Sequence, residues 1–174
     1  FSCRPNPDEN GQFVSYSGFA EFDFDFNILK ISDEPVLQLG ELGTFDEFGT
    51  YPVSVLKKET GYELFYAGWT RCSSVPFNTA IGKAISQDGE KFNKLGKGPI
   101  IPYTLDEPFV MSGPKIRFFN DKYYLFYIAG TDWILDNDKP EPIYKIRMAE
   151  SKDGIHFIKA DKQINEDYKY ITNK

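Results

Sequence analysis

Apolar and aromatic residues fall in short runs along this chain, each cut off by a turn signal. No stretch sustains an apolar period of 3.6 residues over three turns. The clearest run, Tyr62–Trp69, follows Glu59-Thr60-Gly61 and predicts a strand. Thr50–Leu56 before it and Asn78–Ser86 after it predict two more. Asp88-Gly89 then predicts a tight hairpin turn, because Gly tolerates positive φ and Asp hydrogen-bonds its own turn. A fourth strand runs from Phe92 to Leu95, and Pro99 stops the pattern.

The unit recurs. Ser86-Gln-Asp88-Gly89-Glu-Lys-Phe92 returns further along as Ser151-Lys-Asp153-Gly154-Ile-His-Phe157, with Ser, Asp, Gly and Phe in the same places. Upstream of that motif, Leu64-Phe65-Tyr66 returns as Leu125-Phe126-Tyr127, and Pro52–Leu56 returns as Pro114–Phe118. The shift is slightly larger for the motif than for the strands before it, because the later copy has a longer connection after its second strand. A weaker copy precedes these. Gly18-Phe19-Ala20 and Pro35-Val36-Leu37 match Gly82-Lys83-Ala84 and Pro99-Ile100-Ile101 at one common shift. The chain therefore opens inside a repeat, at its second strand, and Asn165–Tyr170 reads as the start of another. Four-stranded antiparallel units repeated at roughly 60 residues predict an all-β β-propeller, with a Greek-key sandwich as the competing fold. The predicted organisation is one partial propeller domain over 1–174. It holds an incomplete blade (1–40), two full blades (41–101 and 102–164) and the start of a further blade (165–174). Long loops are expected at Thr70–Phe77 and Thr131–Pro142, where binding residues tend to lie.

Composition narrows the function. The 174 residues include 16 Phe, 11 Tyr and 2 Trp, a 17% aromatic share that suits strands. Net charge is −6 with no run of Lys or Arg, which argues against nucleic acid as a partner. One His and two Cys fit no zinc pattern, and Ser-His-Asp chemistry would rest on His156 alone. No Gly-rich phosphate loop or dinucleotide fingerprint is present, and no apolar run is long enough for a membrane span. Cys3 and Cys72 either pair or stay free, so the compartment is open, with the cytoplasm favoured over secretion.

Phe45-Asp46-x-x-Gly49-x-x-Pro52-x-x-Val55, Phe65-Tyr66-x-Gly68-Trp69-x-Arg71, Val75-Pro76 and Ala80-Ile81-Gly82-x-Ala84-x-Ser86-x-Asp88-Gly89 together resemble the five-bladed β-propeller glycosidases. That clan includes the arabinanase and xylosidase family 43, the invertase family 32 and the mannoside phosphorylase family 130. Ile143-Tyr144-x-Ile146-Arg147-x-Ala149-Glu150-Ser151-x-Asp153-Gly154 fits the same group. The likeness is strongest to uncharacterised bacterial propellers linked to polysaccharide metabolism. It implies a glycan-active protein, hydrolysing, phosphorolysing or transferring at a glycosidic bond. The other readings are a non-catalytic carbohydrate-binding or scaffold propeller and a purely structural piece of a longer polypeptide. About half of a five-bladed ring is present, so the ring is completed by further segments of the same polypeptide or by other chains.

Cleavage needs two carboxyl groups astride the bond. The resemblance implies acids at the starts of the innermost strands, which here are Asp46, Asp106 with Glu107, and Glu166 with Asp167. Asp46 is the candidate base or nucleophile, and Glu107 or Glu166 the candidate proton donor. The plainer alternative is that these are loop acids on an acidic protein. Trp69, Trp133 and Tyr144 are candidates for stacking on sugar rings, and Arg71, Arg147 and Arg4 for bidentate donation. Tyr66 is expected in the core between blades. Asp88 and Asp153 are expected to be scaffold, because a turn Asp repeated in each blade has a sufficient structural task. The expected partner is a carbohydrate ligand, with no nucleic acid and no membrane span. No cofactor is implied, although a calcium ion in the channel is compatible with the acids.

Overall fold

The computed structural model describes residues 1–9 and 11–160. The expected start of a further blade, and Glu166 with it, lies outside the described residues. Among these residues there is no helix. Two short antiparallel pairs come first: β1 (Ser2–Cys3) with β2 (Tyr16–Ser17), and β3 (Ala20–Phe22) with β4 (Ile28–Ile31). A four-stranded antiparallel meander follows: β5 (Gly49–Lys58), β6 (Gly61–Arg71), β7 (Phe77–Ser86) and β8 (Asn93–Lys94). A second meander repeats it: β9 (Phe109–Phe119), β10 (Lys122–Asp136), β11 (Lys139–Ser151) and β12 (Ile158–Lys159).

The sheets stack face to face, so the middle sheet is covered on both sides. Successive side chains of a strand point to opposite faces. Leu64 and Tyr66 of β6 therefore join Val36, Leu37, Ala84 and Phe92 in one core layer. Phe65 turns the other way and joins Ile81, Met111, Ile116, Leu125 and Tyr127. A strand buried on both faces reads as a continuous apolar run rather than an alternating one, which accounts for the unbroken Leu64–Ala67 stretch.

The Ser-x-Asp-Gly segment builds the same turn twice. Asp88 Oδ1 accepts from the backbone N–H of Glu90 and Lys91 and from the Ser86 hydroxyl, while Gly89 N–H donates to Ser86 Oγ. Asp153 Oδ1 accepts from Ile155, His156 and Ser151 in the same way, and Gly154 N–H donates to Ser151 Oγ. Gly89 and Gly154 sit at φ +82° and +71°, where a Cβ is strained. The connection from Ser86 to Asn93 is wider than the tight hairpin expected, because Asp88 gathers several N–H groups into one loop.

The expected loop at Thr131–Pro142 is instead strand. β10 and β11 continue as a paired ribbon through Trp133↔Pro142 and Leu135↔Pro140 to Asp136↔Lys139. Asn137 and Asp138, at φ +49° and +63°, close it with the left-handed pair a tight hairpin requires. β11 is an edge strand along that reach, since β12 meets it only at Ala149 and Glu150. Pro140 and Pro142, at alternate positions, put their missing N–H groups on the same side, and that side is the open one.

The Asp88 carboxyl is held down to about 2 from 3.8, first by the backbone N–H groups of Glu90 and Lys91 and then by the Ser86 hydroxyl. A depressed carboxylate stabilises the fold above the unfolded value and loses that contribution as pH falls through the folded one. Urea midpoints should therefore drop between pH 3.8 and about 2. Asp88→Asn should flatten that part of the profile, and an unchanged profile would refute the role given to the turn.

Candidate functional site

Of the described acids at the roots of the inner strands, Asp46 and Glu107 are buried and Asp106 is exposed. Asp46 is 1% exposed and Glu107 is 5% exposed. Asp46 precedes β5 and accepts hydrogen bonds from the Tyr66 hydroxyl (2.8 Å) and the Thr44 hydroxyl (3.0 Å). Lys94 of the outermost strand β8 completes the arrangement, with Nζ 2.5 Å from Oδ2. Gly68 lets Asp46 in: a Cβ there would lie 2.3 Å from the Asp46 Cβ. Glu107 repeats the pattern one blade on. It accepts from the Tyr127 hydroxyl (3.1 Å) and from Lys159 Nζ of β12 (2.5 Å). Arg147 Nε adds an ion pair at 3.1 Å. Burial, and then the neighbouring carboxylate, push both the Tyr66 and Tyr127 phenols far above their ordinary range. Both therefore remain donors.

At the same end of the sheets, a cavity of about 480 Å³ opens between the N-terminal segment and the middle sheet. It brings together three of the residues singled out as sugar contacts: Trp69, Arg71 and Arg4. Tyr51 and Phe77 line it too. Arg71 Nη1 donates to Gln12 Oε1, and Nη2 donates to the Phe13 carbonyl at 2.8 Å. The Phe48 ring lies under the guanidinium, 4.0 Å from its carbon. The Trp69 indole N–H donates to Ser15 Oγ at 2.7 Å, which fixes the ring. Burial raises the Tyr51 phenol, opposed by a hydrogen bond with Ser112 and by the charge of Arg4.

The other named residues stand elsewhere. Trp133 packs edge-on against Phe77 (5.7 Å between centroids), behind the cavity wall. Tyr144 is exposed on β11, and Arg147 is turned to Glu107. Tyr51, Gln12 and Phe48 were not anticipated. Their only signal is proximity in sequence to strand starts. Cys3 and Cys72 are free and exposed. Among the described residues no three His, Cys, Asp or Glu converge as a set able to hold a metal ion.

No protein-family model matches the chain. An uncharacterised protein of Mycobacterium tuberculosis is 33% identical over 135 residues, covering 78% of this chain and 44% of that protein. The beta-1,2-mannobiose phosphorylase of Thermoanaerobacter sp. (strain X514) is 22% identical over 120 residues, covering 63% of this chain and 40% of that protein. Among solved structures, a glycoside hydrolase superposes with a TM-score of 0.64 at 14% identity, over 90% of this chain and 45% of that one. The chain thus spans less than half the length of each of these three proteins. Its fold is that of the β-propeller glycoside hydrolases, all-β and built of antiparallel blades.

Removing one partner of a buried ion pair typically costs about 3–5 kcal/mol, because the other charge is left uncompensated. Lys94→Met should therefore lower unfolding stability by about 3 kcal/mol, read from urea titration. Gly68→Ala should also destabilise, by forcing the inserted methyl against Asp46. A Lys94→Met protein as stable as wild type would remove the ion pair from the account.

Proposed function

We propose that this chain is part of a glycan-active propeller of the glycoside hydrolase kind, and that the cavity at Trp69 and Arg71 holds the sugar. One observation carries the reading: a fixed aromatic wall and two arginine forks converge on a cavity at the end where the inner strands begin. Sugar recognition needs both parts, a flat apolar face for the ring and oriented donors for its oxygens. Hydrolysis, phosphorolysis and transfer all remain within this reading.

Asp46 and Glu107 are the proposed carboxyl pair of a catalytic version, with Glu166 as a third candidate. A specific observation favours the non-catalytic version for the described part of the chain. Asp46 and Glu107 hold equivalent blade positions, and each is engaged by its own blade's tyrosine and lysine. Repetition with full engagement suits a fastener better than a reacting group. In the favoured version the chain binds a glycan through Trp69 and Arg71, while Asp46 and Glu107 hold the strand roots.

Glycan binding followed by calorimetry, together with product analysis, separates the two. Trp69→Ala or Arg71→Ala should weaken binding at least tenfold, about 1.4 kcal/mol, while the protein stays folded. If Asp46→Asn and Glu107→Gln abolish turnover at an unchanged unfolding midpoint, the carboxylates are catalytic. If they lower the midpoint and no product forms with the wild type, they are fasteners. Unchanged binding in both cavity variants would contradict the site.

A further inference from the structure

Charge around the Arg71 cavity is one-sided. The chain carries 26 Asp and Glu against 20 Lys and Arg, yet the cavity lining includes Arg4 and Arg71 and no carboxylate. Several buried and half-buried cations elsewhere are answered by acids, Lys83 by Glu63, Lys94 by Asp46, and Arg147 and Lys159 by Glu107, whereas Lys58 rests on the Phe118 ring. Arg71 is oriented by neutral groups instead, the Gln12 side-chain oxygen, the Phe13 carbonyl and the Phe48 ring. These contacts fix the fork without neutralising it, and they leave N–H donors over. Arg4 forms no ion pair among the described residues.

Two uncompensated guanidinium groups in one cavity are more than neutral hydroxyls require. They match a carboxylate or a phosphate, which each fork grips with paired, charge-assisted hydrogen bonds. The protonated Tyr51 phenol supplies a neutral donor beside them. Trp69 and Phe77 supply the apolar wall for a ring. We infer that the cavity takes an anionic sugar, a ring bearing a carboxylate or a phosphate, with the anionic group gripped by Arg71 and Arg4. This rests on the glycan reading and narrows its ligand to one charge class.

The test compares matched ligands on the whole chain by calorimetry: digalacturonate against galactobiose, and mannose 6-phosphate against mannose. At least one anionic member should bind about tenfold or more tightly than its neutral counterpart, a preference that shrinks as salt rises. A uronate preference identifies a carboxylate, and a phosphate preference a phosphoryl group. Arg71→Ala should erase the preference, and Arg71→Lys, which keeps charge but not the fork, should keep only part of it. Arg4→Ala, on an exposed segment, gives the same loss by an independent route if Arg71 variants fold poorly. Equal affinity for charged and neutral members, with Arg71→Ala weakening both alike, would overturn the charge inference and leave the glycan reading standing. Saturable binding of none of the four ligands, by a chain that unfolds cooperatively, would overturn both.

Discussion

A carboxylate buried at the root of each inner strand must be neutralised where it sits, and the blades are organised around doing so. Asp46 and Glu107 each receive a tyrosine hydroxyl from the second strand and a lysine from the fourth. The contact therefore ties the segment entering a sheet to that sheet's outermost strand, across its whole width. Hydrophobic burial is non-directional and would tolerate some sliding of one strand over the next. An ion pair set beside a tyrosine hydrogen bond allows one register. It also leaves the short strands β8 and β12, with only two residues each, held by more than their few ladder bonds.

The same fastening reaches the cavity. Asp46 anchors the segment that carries Phe48, whose N–H donates to the Trp69 carbonyl and whose own carbonyl accepts from Ser15. Phe48 underlies the Arg71 guanidinium, and Ser15 fixes the Trp69 indole. Two cavity-lining side chains are thus positioned by a segment that Lys94 and Tyr66 hold from below. Sites held on rigid elements keep their geometry before a ligand arrives, and binding then costs less ordering.

Much of the fold was legible in the sequence because both signals were strong. The strands of the middle blade follow from apolar runs cut by Thr-Gly, Asp-Gly and Pro. The repeat follows from Ser-x-Asp-Gly-x-x-Phe returning in register. The β10–β11 ribbon was not legible, since Pro140, Pro142 and a string of charged residues read as loop; only an edge position makes them strand. At the cavity, Trp69, Arg71 and Arg4 were nameable from residue type and place. Lys94 and Lys159 were not, because they lie far along the chain from their carboxylates. The clue was available in a subtler form. Asp46 and Tyr66 return at one and the same shift, as Glu107 and Tyr127, so the pair moves together as interacting residues do.

In the proposed arrangement sugar sits between the N-terminal segment and the middle sheet, at the end where β5 begins. A crystal structure of the chain soaked with digalacturonate tests it most directly. Density is expected for a ring against Trp69 and Phe77, with its carboxylate within hydrogen-bonding distance of Arg71 and Arg4. Density instead in the cavity at the opposite end, lined by Lys58, Glu63 and Asn93, with nothing at Arg71, would contradict it.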